Sequence, residues 1–301
     1  MYVLPEPAAG VNPILGIIAA AQHQVRVEVY YLSDRPILKA IKAAEARGVK
    51  VDVMVEGRPY GMPATRVADE EKAIRATGAT LKLAPRRFTS HDGHYVFDHA
   101  KMICNNHACE IGTANFDWSA FHRNREYISV TQNSTLVKAA NAVFEADWNR
   151  RKAPAWTHQV LVLSPGTSAA QLEKVIDQPG PVMIESEELG PYKPILNAIA
   201  VKGKKAFLIL PSSIEKTELK SVHYLQAHGV QIRLMPKNRL YMHAKMITGQ
   251  SYAFIGSENF TKTSLEFNRE VGLIFEGDIP SELAGIFEKD WAKAKPVHGL
   301  S

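Results

Sequence analysis

This chain is written twice, and the duplication restricts its possible folds more than any other feature. His99-Ala-Lys-Met-Ile103 returns as His243-Ala-Lys-Met-Ile247 at an offset of 144. Without a gap, Ile111-Gly-Thr-Ala-Asn-Phe116 returns as Ile255-Gly-Ser-Glu-Asn-Phe260, and Asn124-Arg-Glu126 as Asn268-Arg-Glu270. After a one-residue deletion, Phe144-Glu-Ala-Asp-Trp148 returns as Phe287-Glu-Lys-Asp-Trp291. Upstream, Pro36–Ile41 matches Pro194–Ile199 at an offset of 158, and Leu81–Pro85 matches Ile232–Pro236 at 151. The first copy therefore holds two extra segments of seven residues, one within 56–75 and one within 86–98. A unit of roughly 140 residues that occurs only twice is a duplicated domain and not a solenoid.

Within each copy strands and helices alternate. Val25–Leu32 is a β-rich run, and Arg35–Arg47 has helical apolar spacing and stops at Gly48. Val51–Val55 and Thr80–Leu83 read as strands around a helix near Ala68–Thr77, and Asn133–Arg150 as a closing helix. The second copy repeats this order from Val182–Ser186 to Pro280–Lys295. The fold class expected is α/β: two tandem α-β-α sandwiches, each with a mostly parallel mixed sheet, related by a pseudo-twofold axis with a site at their interface. The halves are placed at 1–150 and 151–301, with 151–160 as linker.

The length of 301 residues suits two domains, and 46% apolar with 22% charged residues suits an ordinary folded chain. The longest near-continuous apolar run, Pro13–Ala21, is far shorter than the ~20 residues of a membrane helix. No basic stretch and apolar core precede a cleavage site, so no export signal is expected. A net charge of +5 leans mildly toward anionic partners. The protein is expected to act as a monomer.

The repeated polar residues need explaining, because a duplicated fold shares its buried apolar positions anyway. Singly, each has a plain structural role: a satisfied histidine, a solvated lysine, a turn-forming asparagine. All four types, His, Lys, Asn and Glu, nevertheless survive in both copies. His99 and Lys101 are two apart and on a strand share one face. That strand enters a hairpin turning at Asn105–Ala108, and the Gly112-Thr-Ala-Asn115 turn returns to the level of His99. A pseudo-twofold axis would bring two such sets together. Two imidazoles, two ammoniums and two amides around one cavity suit a phosphate.

These residues resemble the phospholipase D superfamily, whose signature is His-x-Lys-x4-Asp followed by Gly-Ser/Thr-x-Asn, usually once per half. The matches are His99, Lys101, Gly112, Thr113 and Asn115 in one copy, and His243, Lys245, Gly256, Ser257 and Asn259 in the other. One departure is visible: seven residues after each histidine, the family's Asp is Asn106 and Gln250. Both positions fall in a hairpin turn away from the cavity, so the change bears on turn stability more than on catalysis.

The resemblance implies phosphodiester exchange with neither metal nor cofactor, through a phosphohistidine. One histidine attacks phosphorus; the other protonates the departing alkoxide and then takes a proton from water or an alcohol. By family habit His99 is the nucleophile and His243 the acid/base, although the repeat itself does not distinguish them. Lys101, Lys245, Asn115 and Asn259 stabilise the five-coordinate transition state. Glu126 and Glu270, each 27 residues after a histidine, are candidates to hold the second ring nitrogens. Thr113 and Ser257 are candidates for hydroxyl contacts to phosphate.

The extra segment Arg86–Asp98 must lie at the cavity rim beside His99. Its aromatics, Phe97 among them, suit an acyl chain or lipid surface, and Arg86 a lipid phosphate or a nucleic-acid backbone. Phospholipid hydrolysis or transphosphatidylation, cardiolipin synthase-like chemistry included, with transient contact at a membrane surface, is favoured over DNA or RNA cleavage. The basic residues are scattered, and a nuclease should show a continuous basic track. A binding-only role would require a damaged set, and neither copy has lost His, Lys, Asn or Glu. Cys104 and Cys109 flank the hairpin turn. A disulfide there points to a periplasmic or secreted protein, free thiols to a cytoplasmic one.

Overall fold

The strands of each half alternate in what they bury. In the hairpin strand Lys101–Cys104, Met102 and Cys104 face a core shared with the other half, while Ile103 packs on its own half's outer helices. This two-residue period gives every sheet two buried faces. The structure, a computed structural model, describes residues 1–297.

Seven strands form the first sheet, in the order Tyr2–Pro5, Tyr127–Thr131, Cys109–Ile111, Lys101–Cys104, Gln24–Val29, Lys50–Val55, Thr80–Leu83. The second sheet has the same plan with eight strands, running from Val162–Ser164 at one edge to Lys295–Pro296 at the other. Both sheets are mixed, as expected, but the parallel part is narrower than the alternating pattern indicates. Among the described residues of these two sheets, only Gln24–Val29, Lys50–Val55 and Thr80–Leu83, and their counterparts Val182–Ser186, Ala206–Pro211 and Gln231–Met235, pair in parallel. The site-bearing strands are antiparallel because short hairpins join them. Two edge strands, Tyr2–Pro5 and Val162–Ser164, extend the sheets beyond the sequence reading.

Helices start where capping chemistry allows. Asp34 accepts from the Ile37 N–H at 3.0 Å, Pro36 follows, and the helix Arg35–Ala46 ends before Gly48, whose φ is +81°. Asn133 caps the closing helix Ser134–Trp148 through the Thr135 and Leu136 N–H groups. This helix and its counterpart Ile279–Lys293 lie between the sheets. There Tyr127, Phe144, Met242, Ile255 and Phe287 form a core drawn from both halves. Each half also has its own core beneath its outer helices. Cys104 and Cys109 are joined by a disulfide across the hairpin. Among the described residues, no helix is long and apolar enough to cross a membrane.

Candidate active site

Each Gly-Thr/Ser-x-Asn turn is held so tightly that only glycine fits its first position. A Cβ on Gly112 would stand 2.4 Å from the Tyr127 carbonyl oxygen, and one on Gly256 would stand 2.6 Å from Gly272 Cα. The close approach carries Asn115 and Asn259 to the mouth of the hairpins bearing His99 and His243. All four residues line one cavity of about 750 Å³ to which both halves contribute. Among the described residues, neither asparagine side-chain oxygen has a hydrogen-bond partner. Asn106 and Gln250 are exposed in their turns, and Asn106 accepts from Arg26 at 3.2 Å, away from this cavity.

The histidines are oriented across the pseudo-dyad. Glu270, of the second half, takes His99 Nδ1 at 3.0 Å; Glu126, of the first, takes His243 Nδ1 at 2.6 Å. Each Asn-Arg-Glu triplet divides its work in the same way. Asn124 donates to Glu126 at 3.1 Å and Asn268 to Glu270 at 3.0 Å. The His99 N–H donates to the Arg269 carbonyl at 2.9 Å, and the His243 N–H to the Arg125 carbonyl at 3.3 Å. The arginine side chains pair with the other half's Phe-Glu-x-Asp-Trp aspartate: Arg269 with Asp147 at 2.6 Å, Arg125 with Asp290 at 2.5 Å. The repeats of Arg and Asp were visible in the sequence, and this clamp explains them.

Electrostatics follow from burial. Burial alone would raise Glu270, but His99 and Lys101 outweigh it and bring the carboxylate below its usual range. Burial, against the pull of Glu270, lowers His99 and so favours its neutral ring. Lys101 is fully buried behind His99, donates to the His99 carbonyl at 2.9 Å, and is pulled down to about 7 by burial and by Lys245. Glu28 and Glu185 flank the arginine clamps; burial above all raises both, Glu185 to about 8, and Glu185 accepts from Tyr127 at 2.8 Å.

Three expected contacts differ. Thr113 and Ser257 are fully buried and do not line the cavity. Thr113 donates to Glu126 at 2.5 Å, and Ser257 accepts from the Val271 N–H at 2.9 Å, so their hydroxyls support the carboxylate and the turn. Arg86 is exposed and pairs with Asp92 at the tip of its own hairpin, outside the cavity, because the turn Arg86–Phe88 precedes that hairpin. Phe97 does line the cavity. The extra segment folds as the hairpin Thr89–His91 with His94–Phe97. Tyr30, Glu187, Glu188 and Tyr241 also line the cavity and were not anticipated.

Fold and site together define a two-half protein in which one cavity takes a histidine and an asparagine from each copy, with the lysine and glutamate of each set fully buried. The family model described as "Cardiolipin synthase, PLD-like domain" matches residues 14–148 and 191–291. The chain belongs to the phospholipase D-like family. It is 27% identical over 139 residues to a cardiolipin synthase of Clostridium perfringens, covering 45% of this chain and 27% of that protein. It is 25% identical over 147 residues to cardiolipin synthase 1 of Bacillus cereus, covering 48% and 27%. The matches thus span about a quarter of the length of these curated relatives. Among solved structures, the phosphatidylserine synthase of Haemophilus influenzae aligns with a TM-score of 0.72 at 13% identity, covering 98% of this chain and 86% of that one. The polyphosphate kinase of Porphyromonas gingivalis aligns with a TM-score of 0.72 at 14% identity, covering 96% and 50%. At such identities these two share the fold.

Proposed function

We propose that this protein cleaves or transfers the phosphodiester of a phospholipid through a phosphohistidine. His99 Nε2 attacks phosphorus, and the bond to the leaving alcohol oxygen breaks as His243 gives that oxygen its proton. In the second displacement His243 takes the proton of water or an acceptor alcohol, whose oxygen bonds phosphorus while the P–N bond breaks. Two inversions give net retention. Lys101, Lys245, Asn115 and Asn259 offset the added negative charge.

The observation that carries the lipid reading is an apolar space beside the phosphate site. A second cavity of about 870 Å³ shares Tyr95 and Thr263 with the catalytic one; Phe88, Val96, Ala153, Pro165 and Phe267 give it apolar wall, and Arg87, His91, His94, Lys152 and His158 line the same space. It offers an acyl chain a place next to a headgroup. The catalytic cavity's Glu187 and Glu215 also make a poor wall for a polyanion. The named cardiolipin synthases and the phosphatidylserine synthase agree with lipid chemistry. A nuclease reading has its own support in the pocket on the far side of His243, where His122, Arg123, Lys237 and Arg239 gather. The Cys104–Cys109 disulfide supports an oxidising compartment. Because both halves complete the site, we assign activity to the monomer.

The test is a side-by-side assay, with chelator present, on vesicles of phosphatidylcholine or phosphatidylglycerol and on single-stranded DNA. Headgroup release or exchange is expected. Cleavage of DNA alone would overturn the lipid reading, and the ratio of free acid to exchanged lipid separates hydrolysis from transfer.

A further inference from the structure

The duplication breaks at one position that touches the chemistry. The Tyr30 N–H donates to the Ala100 carbonyl at 3.0 Å, and the Glu187 N–H donates to the Ala244 carbonyl at 3.0 Å. Each follows the strand that pairs with its own histidine hairpin, so the two residues occupy equivalent slots. In the first half the slot holds an aromatic ring. Tyr30 packs edge-on to His99 at 5.0 Å between centroids, with Lys101 Nζ 5.5 Å from its ring centre. In the second half it holds a carboxylate. Glu187 Oε2 lies 2.7 Å from Lys245 Nζ and 3.3 Å from His243 Nε2, and Oε1 accepts from the Tyr241 hydroxyl at 3.4 Å.

An ammonium, an imidazole Nε2 and a hydroxyl converging on one anionic oxygen pair is what a phosphoryl group would require there. On the phosphodiesterase reading given above, we propose that Glu187 is a built-in stand-in for the substrate phosphate, displaced from His243 and Lys245 when the phosphodiester binds. The same contact separates the two histidines. His243 has a carboxylate at each nitrogen, Glu126 at Nδ1 and Glu187 at Nε2, so its imidazolium form is partnered on both sides. His99 has Glu270 at Nδ1, and among the described residues its Nε2 makes no hydrogen bond. An unengaged Nε2 suits the nucleophile and a doubly partnered ring suits the acid. The difference supplies a physical ground for the assignment that repeat symmetry leaves open.

Burial would raise Glu187, yet His243 and Lys245 hold it well below the carboxylate range, so it stays an anion able to compete. Its neighbour Glu188 lines the same cavity but is pushed up to about 8 by burial and by Glu187. Glu188 therefore serves as the control for a Glu-to-Gln exchange in this cavity that removes little negative charge at neutral pH.

The experiment compares the full-length wild type with Glu187→Gln, Glu187→Ala and Glu188→Gln. Inorganic phosphate is titrated by calorimetry and as an inhibitor of bis(4-nitrophenyl) phosphate cleavage. Removing a contacting charge should tighten phosphate binding about tenfold or more in both Glu187 variants, and lower KM for the diester in the same direction. Glu188→Gln should change phosphate affinity less than about threefold. Affinity unchanged or weaker in folded Glu187→Gln, or an equal gain in Glu188→Gln, overturns the proposal. Because the probe is inorganic phosphate, failure of the lipid assay would leave this result readable on its own.

Discussion

If each carboxylate serves the opposite half's histidine, Glu126→Gln in the first half should disable the acid/base of the second and spare the nucleophile. Glutamine preserves the shape and the hydrogen bonds. Its oxygen accepts from His243 Nδ1 and Asn124, and its amide donates to Thr113, whose hydroxyl can turn to accept. What disappears is a negative charge 2.6 Å from the ring. Two unit charges about 4 Å apart interact by about 4 kcal/mol at an effective dielectric near 20. Adjacent opposite charges in proteins change proton affinity by about 10- to 1,000-fold. We expect release of a simple alkyl alcohol, which needs its proton, to slow by about that factor. Release of 4-nitrophenolate needs little protonation, so its pre-steady-state burst should stay within a few fold of wild type. Glu270→Gln should diminish the burst with both leaving groups, because it frees His99 itself. The assay is rapid-quench product release with paired alkyl and nitrophenyl diesters. Equal slowing of both leaving groups in Glu126→Gln would refute the crossed assignment.

Asp147→Ala should leave Arg269 buried without its carboxylate and cost about 3–5 kcal/mol in urea unfolding. Removal of Arg75 from its exposed pair with Glu71 should cost at most about 0.5 kcal/mol. Gly256→Ala forces a Cβ to 2.6 Å from Gly272 Cα and should cost about 1–3 kcal/mol. Gly16→Ala, in open space within the helix Asn12–Ala20, should stabilise by about 0.5–1 kcal/mol, both read from melting curves. Glu56, Glu70 and Glu185 are raised to about 7, 8 and 8, chiefly by burial. A raised carboxylate favours the folded state below its unfolded pKa, and that contribution fades as pH climbs through the folded value. Tm should therefore fall between pH 5 and 7. Above 7 the slope should flatten as Lys101, lowered to about 7, works in the opposite sense. A Tm that climbs steadily from pH 5 to 7 would contradict this.

The register of the repeat made the halves, the hairpins and the His, Lys, Asn and Glu set legible, because identical spacing in two copies marks positions that geometry cannot relax. The direction of the Glu126 and Glu270 contacts was not legible. A carboxylate serving its own histidine and one serving the other copy's leave the same repeated pattern. Thr113 and Ser257 were misplaced because a hydroxyl in a phosphate-binding motif points inward or outward by a small rotation that spacing does not encode. Arg86 turns away from the cavity because Asp92, six residues on in the same hairpin, offers it a carboxylate that strand pattern alone does not bring beside it. Glu187 escaped because comparing copies rewards sameness, and its importance lies in differing from Tyr30. The antiparallel share of each sheet exceeds what alternating strands and helices indicate, because short hairpins join the interior site-bearing strands and the short edge strands have too little periodicity to stand out.

The reciprocal Asn-Arg-Glu exchange makes each half the other's orienting device, as in an isologous dimer joined into one polypeptide. Two separate but identical subunits would have to place the same side chain at both copies of the slot beside the histidine. Covalent fusion removes that obligation. One polypeptide carrying both halves can hold tyrosine at one copy and glutamate at the other, so the surroundings of its two histidines differ in a way that two identical subunits could not sustain.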